Sequence, residues 1–343
     1  MTASATPRSI RSIMRCPKRG ERLNIITFPT HERYESTLCK TGHNFYSIQI
    51  PNTKTWETEY AEVPENYYIT SYIPDHVDFD LILAHTSCNR LKIIHDTLSQ
   101  TSGSTSNRLA IPIIRHTHVL PDVRMDVPKQ LKDFKSITVD KNSFISDFNR
   151  MAWGFHDDEA SVVDHGIDTE FWKSHGEERN NICLSVVNDW PNRDWCCGFN
   201  LWKQTIIDLP CLVVGKSPGF SRPAESPEHL RSVYSTSRIF YNTSLHSPVP
   251  TVLLEAMSCG CAIVSTANCM TPDIITHGEN GLISNDPTEL RSYLEELLRD
   301  EEKAKYLGEN ARKTIESKFN IKKFCDNWNE LFYSTIEDYK RKA

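Results

Sequence analysis

The stretch from His246 to Thr266 constrains the fold of this chain more than any other. Pro250 suits the first turn of a helix, where its missing N–H removes no hydrogen bond. Residues 251–258 are rich in helix formers, and Gly260 favours a left-handed end to that helix. Residues 261–265 form a short apolar run that is typical of a buried strand. The stretch therefore predicts an αβ unit of a parallel sheet, and the helix N-terminus offers backbone N–H groups to an anion.

The composition is that of a globular protein with room for two domains. The chain has 343 residues, of which 38% are hydrophobic and 10% aromatic, so sizeable cores are expected. A net charge of −6 gives no support to broad binding of nucleic acid or membrane. No run approaches the roughly 20 apolar residues of a membrane span. The odd number of cysteines, scattered through apolar runs, indicates buried thiols in a reducing compartment and hence a cytoplasmic location.

Two rounds of alternating strand and helix patterns predict an α/β protein with two domains, each built on a parallel sheet. We expect a basic, flexible tail over residues 1–21 and an N-terminal domain over 22–165. A C-terminal domain follows over 166–320, and a last helix over 321–343 packs back on the N-terminal domain. Within the first domain we predict a helix over 88–98 and a polar loop over 101–107.

Chemistry-bearing residues follow the predicted strands of the first domain. The strand over 23–28 leads into a loop that starts at Thr30 and contains histidine, glutamate and arginine but no glycine. This loop either faces a ligand cleft or simply begins a well-capped helix. The strand over 110–118 ends in His116 and His118, and polar residues at the carboxyl end of a parallel strand face the ligand crevice. A histidine there can donate to a phosphate or a sugar hydroxyl.

Three further assignments complete the first domain. We predict a strand over residues 136–139 and a helix over 142–151 with Asn142 or Ser143 as its N-cap. Two aspartates at residues 78 and 80 resemble a metal-binding pair, but they come at the start of a strand, on the wrong edge of a parallel sheet for ligands. No metal site is therefore predicted there or elsewhere.

The second domain offers cations and a carboxylate at its strand ends. Arg193 lies in the loop after a strand over 182–187 and either reaches a diphosphate through a forked hydrogen-bond pair or is an exposed loop arginine. Lys216 ends the strand over 211–214, although lysines after strands are common. Glu255 lies about one turn inside the helix of the opening stretch, where its carboxylate can accept hydrogen bonds from sugar hydroxyls.

The motifs from residue 162 to 332 resemble, in order, the C-terminal half of retaining glycosyltransferases of the group-1 (family four) type, which have the two-Rossmann GT-B architecture. Residues 163–171 resemble the linker motif that ends in G-V-D-x-x-x-F. Residues 247–255 resemble the donor-site motif of two glutamates separated by seven residues, and residues 271–275 and 278–282 resemble the segment after it. The resemblance covers about half the chain, and its overall character is that of enzymes carried by phages or large viruses, which act in the host cytoplasm.

The resemblance implies a donor site in the second domain and needs no cofactor besides the co-substrate. Glu255 would hold the ribose of a nucleotide sugar, such as a UDP- or GDP-sugar, and backbone N–H groups of residues 250–253, except that of proline, would face the diphosphate. Arg193 and Lys216 would neutralise the leaving diphosphate in place of a metal ion, and His118 or His116 would reach the sugar or phosphate. The remaining donor-binding candidates are His246, Ser247, Pro250, Thr251, Val252 and Thr30.

The sequence departs from the family at two places. Ser247 stands where the first glutamate of the motif contacts the transferred sugar, and the usual arginine and lysine pair after the first strand of the domain is unmatched, so Arg193 is an inferred substitute. We therefore predict sugar transfer to an unidentified glycan, small molecule or modified DNA base, with retention. The alternatives are a degenerate GT-B protein that binds nucleotide or glycan without transfer, and an enzyme that acts specifically on modified DNA bases.

Overall fold

The computed structural model describes residues 17–28, 30–49, 55–74, 76–85 and 111–342. The helix predicted over 88–98 and the loop over 101–107 lie outside the described residues, as does most of the predicted tail.

Parallel strands of the N-terminal domain form one sheet in the order β3-β2-β1-β4-β5-β6-β7. The side chains of β4 and β5 are buried along their whole length, as expected for a parallel sheet that is covered on both faces. The strands are β1 Asn24–Thr27, β2 Asn44–Ile48, β3 Tyr67–Thr70, β4 Leu81–His85, β5 Ile113–Thr117, β6 Lys141–Phe144 and β7 Ser161–Val162. The described helices of this domain are α1 Glu32–Cys39, α2 Val127–Ser136 and α3 Asp147–Ala152.

The strand predicted over 136–139 was wrong, because residue 136 ends α2 and the described residues between it and β6 form no strand. The helix predicted over 142–151 is confirmed only in its second half, where α3 begins at Asp147, because its first residues belong to β6. Ser143 is fully buried and pairs with His116 of β5, so it cannot cap a helix, and neither can Asn142. The N-cap of α3 is Ser146, whose hydroxyl accepts the N–H of Asn149 at 3.1 Å. Pairing with β5 makes a strand of a polar segment that local propensity assigns to a helix start.

The C-terminal domain has a second parallel sheet with the order β12-β11-β10-β8-β9. Its strands are β8 Asn180–Val186, β9 Cys211–Val214, β10 Ser237–Asn242, β11 Ala262–Ser265 and β12 Leu282–Ile283. A 3₁₀ turn spans Trp190–Arg193, and the helices are α4 Asp194–Cys197, α5 Phe199–Ile206, α6 Pro227–Thr236, α7 Thr251–Ser258, α8 Thr271–Ile274, α9 Pro287–Arg299 and α10 Glu301–Lys318. Separate hydrophobic clusters cover the two faces of this sheet.

Helix α7 is the helix of the opening stretch, and it lies where the sequence places it. Pro250 is its N-cap rather than its first helical residue. After the C-cap at Cys259, Gly260 has φ +76° and turns the chain out of the helix, as predicted. Leu253 and Leu254 are fully buried in the hydrophobic core, so packing fixes the orientation of the helix and of the polar residues at its start.

The last helix, α11 (Ile321–Lys342), leaves the C-terminal domain and packs on the N-terminal one. Trp328 and Phe332 are fully buried in one cluster with residues of β1 and β4. The end of the predicted tail is docked here as well, because Arg19 forms an ion pair with Glu337 at 2.9 Å and Tyr333 donates to the carbonyl of Glu21 at 2.6 Å. The end of the predicted tail thus contacts the last helix, and the flexibility of residues 1–21 stays a prediction. Across the described ranges, each helix is too short or too polar to cross a bilayer.

Candidate active site

The carboxyl edges of the two sheets face each other, and polar contacts join them. The imidazole Nε2 of His246, which follows β10, lies 2.9 Å from the carbonyl of Pro121, which follows β5. Lys216, which follows β9, forms an ion pair with Glu59 of the N-terminal domain at 3.1 Å. Ligands of parallel α/β folds bind at this edge of the sheet, so the cleft between the domains is the candidate site.

Glu255 provides the buried carboxylate of the cleft. It lies in α7 and is 2% exposed. Its Oε1 pairs with the guanidinium of Arg33 at 3.1 Å, and its Oε2 accepts the hydroxyl of Tyr234 at 3.2 Å. Burial raises the pKa of this carboxyl group, and Arg33 acts in the opposite direction. A carboxylate held in this way can accept hydrogen bonds from a polar ligand.

The start of α7 can bind an anion through its backbone. The first N–H groups of an α-helix have no partner within the helix, and no side chain caps this N-terminus. The side chains of Thr251 and Val252 are half-buried, and the N–H of Leu253 is already bonded to the carbonyl of Pro250 at 3.0 Å. The backbone at Thr251 and Val252 is therefore the part of the helix start that suits a phosphate.

The loop before α7 contacts the other domain. His246 bonds to the carbonyl of Pro121 and lies 5.7 Å from the ring of Trp195, measured between ring centroids. The guanidinium of Arg124, from the N-terminal domain, stacks on the ring of Trp195, with its central carbon 3.8 Å from the ring centroid. Ser247 is half-buried directly after His246. Its hydroxyl thus lies in the segment between an interdomain contact and the start of α7.

Arg193 and Lys216 lie close together because both donate hydrogen bonds to Asn188. The backbone carbonyl of Asn188 accepts a hydrogen bond from Arg193 at 3.3 Å, and its side-chain oxygen accepts the backbone N–H of Lys216 at 2.8 Å. Asn188 follows β8 and Lys216 follows β9, so both cations lie at the carboxyl edge of the C-terminal sheet. Arg193 is exposed, and the Nζ of Lys216 is engaged by Glu59.

The two predicted histidines lie at different depths. His118 is half-buried, its Nε2 is 3.0 Å from Nδ1 of His85, and its ring packs edge-on against Tyr34. His116 is fully buried and bonds to the hydroxyls of Tyr34 at 3.0 Å and Ser143 at 3.1 Å. Burial lowers the pKa of both imidazoles well below the usual range. His118 is therefore the one placed to meet a ligand, and His116 supports it from below.

The loop after β1 begins a helix and also faces the cleft, so both interpretations of its sequence apply. Helix α1 starts at Glu32 without a side-chain cap at His31. The N–H of Thr30 donates to the carboxyl group of Glu35 at 3.1 Å, and burial raises the pKa of that carboxyl group to about 8. Arg33, in the first turn, crosses to Glu255. The backbone of Thr30 thus joins the loop to α1, and the contact of its half-buried side chain with a donor stays a prediction.

Two site residues escaped the sequence analysis. Tyr234 lies in an ordinary amphipathic helix, and nothing in the sequence indicates that its hydroxyl bonds to a carboxylate of the site. Arg33 belongs to a loop that the sequence does mark, but its partner is 222 residues away. Asp80, at the amino edge of the sheet, accepts the N–H of Asn24 at 2.8 Å. Among the described residues, no three His, Cys, Asp or Glu side chains are arranged to hold a metal ion.

The two facing parallel sheets define the class of fold as GT-B, and comparison with solved structures agrees. HepE of Anabaena, solved in complex with UDP-glucose, superposes with a TM-score of 0.69 at 14% identity over 92% of this chain and 100% of that one. Sucrose-phosphate synthase of Thermosynechococcus elongatus gives a TM-score of 0.67 at 14% identity over the same shares. Likeness at this level of identity concerns the fold.

Sequence comparison finds a family match within the C-terminal domain. Residues 220–314 match the family model of glycosyl transferases group 1. The N-acetyl-alpha-D-glucosaminyl L-malate synthase of Bacillus anthracis is 27% identical over 159 residues, 46% of this chain and 39% of that protein. The alpha-maltose-1-phosphate synthase of Mycolicibacterium smegmatis is 27% identical over 124 residues, 34% of this chain and 30% of that protein. The aligned parts thus span less than half the length of these curated relatives.

Proposed function

We propose that this chain is a glycosyltransferase that moves a sugar from a nucleotide-sugar donor to an acceptor, with retention of anomeric configuration. One observation carries the proposal. The buried carboxylate of Glu255 lies at the carboxyl edge of a parallel sheet, one turn inside a helix whose N-terminus faces the cleft. That helix belongs to the segment that matches group 1 glycosyl transferases.

A UDP-sugar is the donor that we favour. The structure of HepE contains UDP-glucose, and the same fold here offers a complementary set of groups. Glu255 would accept hydrogen bonds from the ribose hydroxyls, while the backbone of Thr251 and Val252 would bind the diphosphate. Ser247 and His246 lie just before this helix, so they would contact the sugar.

The proposed reaction breaks the bond between the anomeric carbon and the diphosphate oxygen and forms a bond to an acceptor oxygen. Negative charge develops on the leaving diphosphate, and cations near it stabilise that charge. Arg193 and Lys216, joined through Asn188, would supply this charge without a metal ion. His118 would contact the sugar from the N-terminal domain. We assign no general base, because the acceptor proton would pass to the departing diphosphate on the same face.

The test combines turnover with nucleotide binding. Purified protein incubated with a panel of UDP- and GDP-sugars should hydrolyse at least one donor slowly, with and without EDTA. Replacement of Glu255 by glutamine should weaken UDP binding by roughly ten- to a hundredfold, because a hydrogen bond to a charged group contributes about 1.5–3 kcal/mol. Exposed Glu279 provides the matched control, since Glu279→Gln should bind as wild type does. A protein that binds neither nucleotide and hydrolyses no donor would rule out the proposal.

Nucleotide binding without transfer is the second candidate, and Ser247 favours it. The sequence motif has a glutamate at this place, and a serine there provides a hydroxyl instead of a charged acceptor. A binding protein would take up UDP with a dependence on Glu255 but would show no turnover with any donor, even when candidate acceptors are added. Turnover therefore separates the two candidates.

A further inference from the structure

The ion pair between Arg33 and Glu255 crosses the cleft at the place where a nucleotide would bind. Nη1 of Arg33 lies 3.1 Å from Oε1 and 3.4 Å from Oε2 of the carboxylate. Arg33 comes from the first turn of α1 in the N-terminal domain, and Glu255 from α7 in the C-terminal domain. Both carboxylate oxygens are therefore engaged by a group from the opposite domain.

The two members of the pair differ in their freedom to move. The side chain of Glu255 is 3% exposed and that of Arg33 is 24% exposed. The carboxylate is also held by the hydroxyl of Tyr234, which is itself fully buried. The guanidinium lies 5.8 Å from the ring of Trp172 and remains in contact with solvent. Arg33 can thus leave the pair by rotating its side chain, whereas Glu255 is fixed by the helix.

The pair and a bound ribose require the same oxygens. A ribose diol donates two hydrogen bonds, and a carboxylate accepts them best when both oxygens are accessible. Arg33 lies within hydrogen-bonding reach of both oxygens. Solvent screens the attraction between Arg33 and Glu255 less than that of an exposed pair, because the carboxylate is buried. The exposed pair of Lys216 and Glu59 offers much weaker resistance to a ligand.

We propose that Arg33 sets the affinity of the site for its nucleotide by competing with the ribose hydroxyls for Glu255. This inference rests on the proposed role of Glu255 in donor binding. In the absence of donor, Arg33 holds the carboxylate and joins the domains. A nucleotide that carries both ribose hydroxyls displaces Arg33 from Glu255. A nucleotide without these hydroxyls cannot replace the hydrogen bonds that Arg33 makes to the carboxylate, so it leaves the ion pair in place. Arg33 is then a determinant of affinity and of ribose recognition rather than a contact to the reacting atoms.

The experiment is a comparison of Arg33 variants against nucleotides with and without the ribose diol. UDP and 2′,3′-dideoxy-UDP are titrated by calorimetry into wild type, Arg33→Ala and Arg33→Lys at pH 8, where ionised Glu255 is favoured. We expect Arg33→Ala to bind UDP at least fivefold more tightly than wild type and dideoxy-UDP with an unchanged dissociation constant. Arg33→Lys keeps the charge and should bind UDP within twofold of wild type.

Lys40 supplies a matched control at the other end of α1. It forms an ion pair with Asp168 in the segment between the domains, so Lys40→Ala also removes a cation of α1 from an ion pair but leaves Glu255 untouched. Its UDP affinity should equal that of wild type, and a thermal unfolding curve for each variant verifies the fold. A gain shared by Lys40→Ala would mean that general loosening of the interface, rather than competition at Glu255, tightens binding, and would overturn the inference.

The remaining outcomes separate this inference from the proposed function. If Glu255→Gln weakens UDP binding but Arg33→Ala binds UDP no more tightly than wild type, competition by Arg33 is wrong and the donor site stands. An equal gain for UDP and dideoxy-UDP would also overturn it. If wild type binds neither UDP nor GDP, or Glu255→Gln binds UDP as wild type does, the donor site itself is wrong and this inference is wrong with it.

Discussion

Nδ1 of His85 lies 3.0 Å from Nε2 of His118, so the last residue of β4 supports a cleft-facing residue after β5 through an imidazole–imidazole hydrogen bond. His85 is buried, and its other ring nitrogen, Nε2, has no hydrogen-bond partner in the described part of the chain. One ring donates and the other accepts, so the two rings cannot both be protonated, and burial favours the neutral form of each. Burial lowers the pKa of His85 to about 3.

The first prediction concerns the pH dependence of stability. A histidine with a depressed folded pKa stabilises the fold fully above its unfolded value of about 6.5, and this stability is lost as the pH falls through that value toward the folded pKa. For His85 the loss by pH 5 is about 2 kcal/mol. We expect the decrease in the free energy of unfolding between pH 7 and pH 5, measured in urea, to be smaller in His85→Phe than in wild type by roughly this amount.

The variant must be compared with wild type, because Glu35 gives the free energy of unfolding the opposite dependence on pH. Burial raises the pKa of its carboxyl group to about 8, so its contribution falls as the pH rises through this range. Replacement of exposed His175 by asparagine is the control and should leave the pH dependence unchanged. Equal pH dependence in wild type and His85→Phe would show that His85 is not held neutral by the fold.

The second prediction separates two roles of Lys216. Its ion pair with Glu59 is exposed on both sides, and such pairs contribute little to stability. If the lysine serves the diphosphate, Lys216→Met should weaken UDP binding by about tenfold, a change of about 1.4 kcal/mol, while uridine binding stays unchanged. Glu59→Gln breaks the same pair but keeps the cation, so it should not weaken UDP binding. Equal weakening in both variants would mean that the ion pair, not the lysine, matters.

The third prediction addresses Ser247. Its side chain follows an interdomain contact and precedes the helix that would bind the diphosphate. Ser247→Glu adds a charged hydrogen-bond acceptor where the transferred sugar is expected. The proposed ribose contact at Glu255 is not changed. The variant should bind UDP within twofold of wild type, whereas its ratio of kcat/KM values between two UDP-sugars should change by about tenfold, or 1.4 kcal/mol. Initial rates with each donor provide the measurement. An unchanged ratio would remove Ser247 from the sugar site.

The sequence predicts those parts of the fold in which burial alone decides. Strands β1 and β11 lie within one residue of their predicted bounds, because a parallel strand that is covered on both faces must be a continuous apolar run. Strand β6 was missed because it reads Lys-Asn-Ser-Phe and owes its conformation to the pairing of Ser143 with His116. Short-range pattern contains no information about that partner.

The residues of the candidate site also fall into two groups: those that local sequence predicts and those that depend on a distant partner. Glu255 and the start of α7 are local features, and a helix after a proline-rich loop is enough to predict them. The contact between Arg33 and Glu255 depends on the orientation of two domains, and the two residues are 222 positions apart. The sequence shows that Arg33 lies in a loop rich in functional groups but contains no sign of its partner. Arg193 and Lys216 are intermediate, because neighbouring strands of one sheet bring them together at Asn188.

The fourth prediction tests the packing that fixes α7. Gly308 of α10 lies against the end of α7, and a Cβ atom added at Gly308 would be 2.2 Å from the backbone carbonyl oxygen of Gly260. Alanine is favoured over glycine in a helix by about 1 kcal/mol, so a gain in stability would be expected if space were available. The backbone of Gly260 cannot move easily, because its φ of +76° shapes the turn after α7. We therefore expect Gly308→Ala to lower the free energy of unfolding by about 2 kcal/mol or more. Glu309→Ala, at an exposed position of the same helix, should change it by less than about 0.5 kcal/mol, and a Gly308→Ala protein as stable as wild type would contradict this close packing of α10 on α7.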